Sequence, residues 1–347
     1  MTDLKTLLDV QALDRTLEPA LRAALDGKAK PSGALGRIEE TALTLGLIRR
    51  SLRPTADRPV LLVFAGDHGV TRSGVAAFPA SVTAAMVDTL LAGRASANAF
   101  ARVVGAEVRV VDAGVDADLS DRSALIKAGI ARGTADASIR AAMTPVQARE
   151  ALLAGARIAR LAISDGADIL ALGEMGIGNS ASAALLMHRL APAPLEACIG
   201  RGAGQTADGM ARKRAVLARA AARSDAATPM DALIQFGGFE IAMMAGALLA
   251  AARAGVPVLI DGFIGSAAAL VAIRLAPAAR DYALFAHASA ETGHRLMLEA
   301  LGARPLLELD LRLGEGTGAL LAVPLARAAC ALLSEVADLT EVLEAAS

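Results

Sequence analysis

The five-residue run Val60-Leu61-Leu62-Val63-Phe64 is apolar without alternation and ends in Ala65-Gly66-Asp67-His68-Gly69-Val70. A strand with one wet face alternates polar and apolar residues, so an unbroken run of this length reads as a strand buried on both faces. The same design recurs along the chain. Val108–Val111 ends in Asp112-Ala113-Gly114, Ile169–Leu172 in Gly173-Glu174-Met175-Gly176, and Val256–Ile260 in Asp261-Gly262. Tyr282–Phe285 ends in Ala286-His287-Ala288-Ser289, and Leu306–Leu311 in a glycine-rich turn. Helical segments separate them: Ser81–Ala101, Pro145–Ser164, Phe239–Ala254 and Thr292–Leu301. Strands alternating with helices imply βαβ units and a mostly parallel six-stranded sheet. Polar and glycine residues gather after the strands, so one edge of that sheet is a ligand-facing rim.

The last of these turns places one carboxylate among glycines, Leu313-Gly314-Glu315-Gly316-Thr317-Gly318, before an Ala/Leu-rich helical segment from Ala319. Glycine lets the backbone take positive φ or approach a ligand closely. Glu315 is therefore a candidate general base with a raised pKa, and the plainer reading is a tight turn with a solvated glutamate.

Hydrophobic residues make up 54% of the 347-residue chain and charged ones 20%, with much alanine, which suits close-packed helices and a large buried area. A net charge of −1, no Trp and one Tyr supply neither the field nor the stacking platforms for nucleic acid. Cys198 and Cys330 are too few and too far apart for a disulfide framework or metal cluster, which makes a reducing cytoplasm the default. The N-terminus does not resemble a signal peptide, and Ile241–Leu249, read as the most apolar stretch, is too short to cross a bilayer.

Residues 4–26 carry leucines at a helix-like spacing; Lys30-Pro31-Ser32-Gly33 breaks the pattern, and Leu35, Ile38, Ala42, Leu45 and Ile48 restart it. Gly173-Glu174-Met175-Gly176-Ile177-Gly178-Asn179-Ser180 is a strand-to-helix loop in which Asn179 or Ser180 can cap the helix. Free N–H groups and the positive end of the dipole can then hold a phosphate. Neither G-x-G-x-x-G nor a P-loop is present. Glu174 would repel a dianion, so it suits a sugar hydroxyl or a cationic ring. Gly200-Arg201-Gly202-Ala203-Gly204-Gln205, with Lys213 onward in Ala211-Arg212-Lys213-Arg214, can complete a phosphate site, although such a basic triplet more often marks a solvated helix face. Asp67-His68 and His287 lack metal-ligand spacing and read as hydrogen-bonded residues at strand ends.

Lys30-Pro31-x-Gly33-x-Leu35-Gly36-Arg37, Phe64–Val70, Gly173–Asn179 and Gly200-Arg201-Gly202 follow one another in order with Phe236–Glu240, Asp261-Gly262-Phe263, Ser289-Ala290-Glu291 and Leu313–Gly318. This series resembles the nicotinate-nucleotide:dimethylbenzimidazole phosphoribosyltransferase (CobT) family of cobalamin nucleotide-loop assembly, over about residues 30–335. The departures are mild: Ala203, Gln205, Thr292 and Ala34 stand where the family usually has other residues.

The resemblance implies an α/β, Rossmann-like body over 56–324 and a small helical domain from residues 1–55 with about 325–347. It implies transfer of phosphoribose from nicotinate mononucleotide to a benzimidazole by a homodimer, with no metal and no cofactor. Glu315 would be the general base. Phosphate would rest on Gly176, Gly178, Asn179, Ser180 and Gly202 with Lys213 as counter-charge, and Glu174 would sit near the ribose and pyridinium. Phe78, Met86, Met175 and Leu313 would line the slot for the flat base, where thioethers repack readily. A nucleotide-sensing protein without turnover would not need Glu315, and a dehydrogenase would need the missing fingerprint glycines.

Overall fold

The computed structural model describes residues 3–191, 193–202 and 204–347. Its strands are β1 (Pro59–Gly66), β2 (Glu107–Gly114), β3 (Ile126–Lys127), β4 (Ile169–Met175), β5 (Val258–Ile260), β6 (Ala283–Phe285), β7 (His287–Ala288) and β8 (Leu307–Glu308). Among the described residues, six of them form a sheet of order β3-β2-β1-β4-β5-β6, parallel at every pairing. The fold is α/β with helices on both faces of that sheet. β1 is buried along its whole length, as an unbroken apolar run requires.

Five of the expected strands lie in this sheet; the sixth does not. Of Leu306–Leu311 only Leu307–Glu308 is extended and paired, and it pairs with β7 in a separate two-stranded ribbon. Asp310 turns to φ 53°, and the Leu311 carbonyl accepts from Ala290 N and Ser289 Oγ, so the chain leaves strand geometry before the turn. The sheet edge is completed instead by the short β3. Two helical expectations also split. Ser81–Ala101 is two helices, Ser81–Leu91 and Ser96–Val104, and the N-terminal segment is Leu4–Leu8 and Glu18–Asp26. Between the latter two, the Asp14 side chain accepts the Thr16 N–H at 2.9 Å, a local bond that competes with helix, and Pro19 then starts the second helix. Thr292–Leu301 shortens to His294–Ala300, whereas Pro145–Ser164 runs as expected behind a Thr144–Gln147 capping box.

One face of the sheet is covered by the helices Pro145–Ser164, Asn179–Leu190, Phe239–Arg253 and Phe263–Leu275. Pro145–Ser164 and Phe239–Arg253 meet backbone to backbone, since a Cβ on Gly155 or Gly246 would collide with the facing main chain at Met243 or Leu152. The other face packs against Arg37–Arg49, Ser81–Leu91, Ser96–Val104 and Thr317–Ser334, and Leu21 and Leu25 join the same apolar cluster as Leu45 and Leu333. The chain ends are tied together by a Lys28–Asp338 ion pair at 3.0 Å and by Leu339 N donating to the Gly27 carbonyl at 2.8 Å. Thr317–Ser334, rather than Ile241–Leu249, is the described helix long and apolar enough to cross a membrane by length and composition. It contains Pro324 and is mostly buried inside the protein.

Candidate active site

A cavity of about 640 Å³ opens beyond the carboxyl ends of β1, β4 and β5, where the strand order reverses and open α/β sheets bind their ligands. Glu174, Met175, Gly176, Gly178, Asn179, Ser180, Gly202, Lys213, Phe78, Met86, Leu313 and Glu315 all line it. Four separated stretches of sequence are thereby brought to one cavity. Ala203 lies outside the described residues.

The loop after β4 leads into the Asn179–Leu190 helix through Gly178, which takes φ 96° at the N-cap. Neither Asn179 nor Ser180 caps that helix: the Asn179 amide donates to the Glu174 carboxylate, and Ser180 Oγ accepts from Lys213 Nζ at 3.0 Å. Both side chains turn toward the cavity charges, and the helix end is left without a side-chain cap. Lys213 also donates to the Gly200 carbonyl at 2.9 Å, and it is 1% exposed, so it is not part of a solvated helix face. Burial pulls its pKa down to about 8 against the opposing charge of Glu291. The Glu291 carboxyl is raised by burial, with Lys213 opposing, and accepts the Gly202 N–H at 3.4 Å.

Glu315 is one of three non-glycine residues at positive φ among those described, at 60° between Gly314 at 91° and Gly316 at 82°. That conformation costs about 1–2 kcal/mol for an L-residue and is held here by close packing. A Cβ on Gly173 would lie 2.5 Å from the Glu315 carbonyl oxygen, and the Glu315 N–H donates to the Glu174 carbonyl at 3.2 Å. The turn is therefore seated directly on β4. Contrary to a solvated turn, Glu315 is 5% exposed. Its Oε2 accepts the Ala97 N–H at 3.1 Å, at the N-terminus of the Ser96–Val104 helix. Burial raises its pKa, the Ala97 bond lowers it and the charge of Asp261 raises it, leaving a net increase. Glu174 is pushed to about 8, first by burial and then by Asp261, Glu240 and Glu315, with the Asn179 bond opposing. Two neighbouring carboxyls with raised pKa values in one cleft are the electrostatic mark of acid–base chemistry or of a site awaiting positive charge.

Sequence reasoning gave no role to Asp261, Ser289 or Arg312, which also line the cavity. Asp261 caps the turn from below, accepting from Gly316 N at 3.2 Å and Ala319 N at 3.1 Å. Asp261 and Ser289 stand inside quoted motifs, and their place after an apolar run was the available signal. His287 lies 3.4 Å from Asp261 through Nε2. His68 is buried between Ser182 Oγ at 2.8 Å and Glu240 Oε1 at 2.6 Å. Burial works against its charge, but Glu240 and Asp67 raise its pKa overall.

The cleft thus combines a helix N-terminus and a buried lysine, suited to a phosphate, with a seated carboxylate and a thioether-lined slot suited to a flat base. Comparisons with known proteins identify the family. A family model described as phosphoribosyltransferase matches residues 10–342. The nicotinate-nucleotide–dimethylbenzimidazole phosphoribosyltransferases of Cupriavidus necator and Dechloromonas aromatica are 53% and 51% identical. These alignments cover 95% of this chain and 95% and 96% of the respective relatives. The crystal structure of CobT from Thermus thermophilus superposes with a TM-score of 0.91 at 45% identity, over 94% of this chain and 98% of that one. This chain belongs to the nicotinate-nucleotide–dimethylbenzimidazole phosphoribosyltransferase family.

Proposed function

We propose that this chain transfers phosphoribose from nicotinate mononucleotide to 5,6-dimethylbenzimidazole, giving α-ribazole 5′-phosphate and nicotinate for the nucleotide loop of cobalamin. The observation that carries this reading is that one cavity is lined by both the Lys213-backed helix N-terminus and the buried Glu315 carboxylate. The 5′-phosphate rests on the Gly176, Gly178 and Gly202 amides with Asn179, Ser180 and Lys213, where the dipole end and a desolvated ammonium favour a dianion. Its arrival raises the lysine pKa again and fixes Lys213 in the charged form.

The donor carries its own electron sink, because the C1′–N bond breaks toward a pyridinium nitrogen and leaves neutral pyridine. Glu174 faces the ribose and that cationic ring, whose charge favours the ionised carboxylate. One ring nitrogen of the acceptor attacks C1′ from the face opposite the leaving group, turning β into α, while the other nitrogen gives up its proton. Glu315 takes that proton. Its Oε2 is held by Ala97, which leaves Oε1 for the acceptor, and its raised pKa makes it a stronger base than an exposed glutamate. Met86, Met175, Phe78 and Leu313 enclose the flat base, with Phe78 and Leu313 largely exposed at the mouth.

The same reading assigns residues 1–55 with about 325–347 to a small helical unit and 56–324 to the catalytic body. It makes the enzyme a cytoplasmic homodimer that works without metal or cofactor. Mixing the protein with nicotinate mononucleotide and dimethylbenzimidazole and separating the products by chromatography tests it. Nicotinate and α-ribazole 5′-phosphate should appear in equal amounts; absence of either product would refute the assignment.

A further inference from the structure

The Ser81–Leu91 helix enters the cavity wall through Val82 and Met86, and between them Thr83 is completely buried. Its hydroxyl donates to Asp67 Oδ1 at 2.7 Å and accepts the Ile177 N–H at 3.1 Å. An amide N–H can only donate, so the hydroxyl must offer a lone pair to Ile177 and its proton to Asp67, and the relay has one direction. The second Asp67 oxygen accepts the Asp116 N–H at 2.8 Å, which fixes the carboxylate that anchors the relay.

The hydroxyl joins the end of β1 to the loop after β4, on the helix that carries Met86. Asp67 follows the end of β1, Ile177 lies between Gly176 and Gly178 in the phosphate loop, and Met86 stands one helical turn beyond Thr83 on the same face. We propose that Thr83 is a positioning residue that sets the donor-phosphate loop and the acceptor slot in one register, resting on the function proposed above. Removing the hydroxyl strands a buried N–H in the phosphate loop and frees the helix that carries Met86. Donor affinity and acceptor choice then shift together, although Thr83 touches neither substrate.

The test compares wild type with Thr83→Val, which keeps the shape, Thr83→Ser, which keeps the hydroxyl, and Thr41→Val as a control. Thr41 is a buried threonine whose hydroxyl, among the described residues, bonds only its own helix, at the Arg37 carbonyl, and it does not line the cavity. The readouts are melting temperature, kcat and KM for nicotinate mononucleotide, and the product ratio from dimethylbenzimidazole mixed with adenine. Thr83→Val should raise the donor KM about tenfold, the effect of one lost bond with a stranded N–H, and lower kcat less. It should also change the product ratio, and Thr83→Ser should restore both. Thr41→Val should lower the melting temperature and leave both unchanged. Wild-type KM and ratio in Thr83→Val, no rescue by serine, or equal changes in Thr41→Val would each overturn the proposal. If Thr83→Val does not fold, Thr83→Ala is read the same way. If neither folds while serine does, the hydroxyl serves the fold alone and the proposal fails. Wild-type protein that makes no α-ribazole 5′-phosphate would instead refute the underlying function.

Discussion

The backbone N–H of Glu315 donates to the carbonyl oxygen of Glu174 across 3.2 Å, so the turn after β8 and the loop after β4 are joined at their two acidic residues. The main chains that carry the two carboxylates cannot move independently. Ionising Glu315 raises the pKa of Glu174, so the two carboxyls titrate as neighbours.

Gly173 makes that junction possible, because a Cβ there would lie 2.5 Å from the Glu315 carbonyl oxygen. Gly173→Ala should lift the turn off β4 and lower turnover at least tenfold. Burying a methyl without room for it costs about 1–3 kcal/mol of stability. Steady-state kinetics beside a urea midpoint checks this; full turnover would mean that the turn tolerates a shift.

Lys213 makes two hydrogen bonds beside the loop after β4, to Ser180 and Gly200, where the donor phosphate is proposed to rest. Lys213→Ala removes one charge-assisted contact to the donor and should weaken nicotinate mononucleotide binding by about 1.5–3 kcal/mol. Calorimetry should show dimethylbenzimidazole affinity nearly unchanged. Unaltered donor affinity would remove Lys213 from the phosphate site.

Met175 and Met86 both line the cavity and are only partly buried. Flexible thioethers repack around different rings, so several benzimidazoles and purines should be accepted. Met175→Val stiffens the wall and should change the ratio of products formed from benzimidazole and adenine in competition. An identical ratio would place the base elsewhere.

The Glu174 carboxyl has its pKa raised from 4.5 to about 8, so the fold favours its protonated form. That contribution is fully present below pH 4.5, declines as the pH rises and is lost above about pH 8. Unliganded protein should therefore lose stability with rising pH across this window. Glu315 and Asp67, also raised by burial, add a slope of the same sign. Glu174→Gln should flatten the slope without abolishing it, as read from denaturation midpoints across the window. Equal slopes in both proteins would show that Glu174 is not the group responsible.

The five central strands were legible because burial on both faces forbids polar alternation, which leaves a run such as Val60–Phe64 with a single reading. Leu306–Leu311 misled because three of its leucines alternate with Glu308 and Asp310, and the run serves as a short ribbon and a turn rather than a sheet strand. β3, at two residues, has no length to signal with. In the cavity, the glycine turns were legible by type and place, whereas the roles of Glu315 and Lys213 came from the family resemblance, since their type and place alone favoured a solvated turn and a solvated helix face. The Ala97 N–H that holds Glu315 was not legible, since it is a main-chain donor 218 residues away in sequence and any residue type supplies it. The Thr83 relay was hidden for a related reason: a threonine in an apolar helix reads as packing until its two partners are known.

The central claim is that Glu315 takes the proton from the acceptor base, and the most direct measurement is the turnover of Glu315→Gln. Glutamine keeps the size and can still accept the Ala97 N–H, but it lacks a basic oxygen. Both substrates should bind as in wild type by calorimetry, while kcat with dimethylbenzimidazole falls by roughly 10²–10⁴-fold. Near-wild-type kcat in a folded Glu315→Gln protein would contradict the account and transfer the base's role to another group, with Glu174 the next to test.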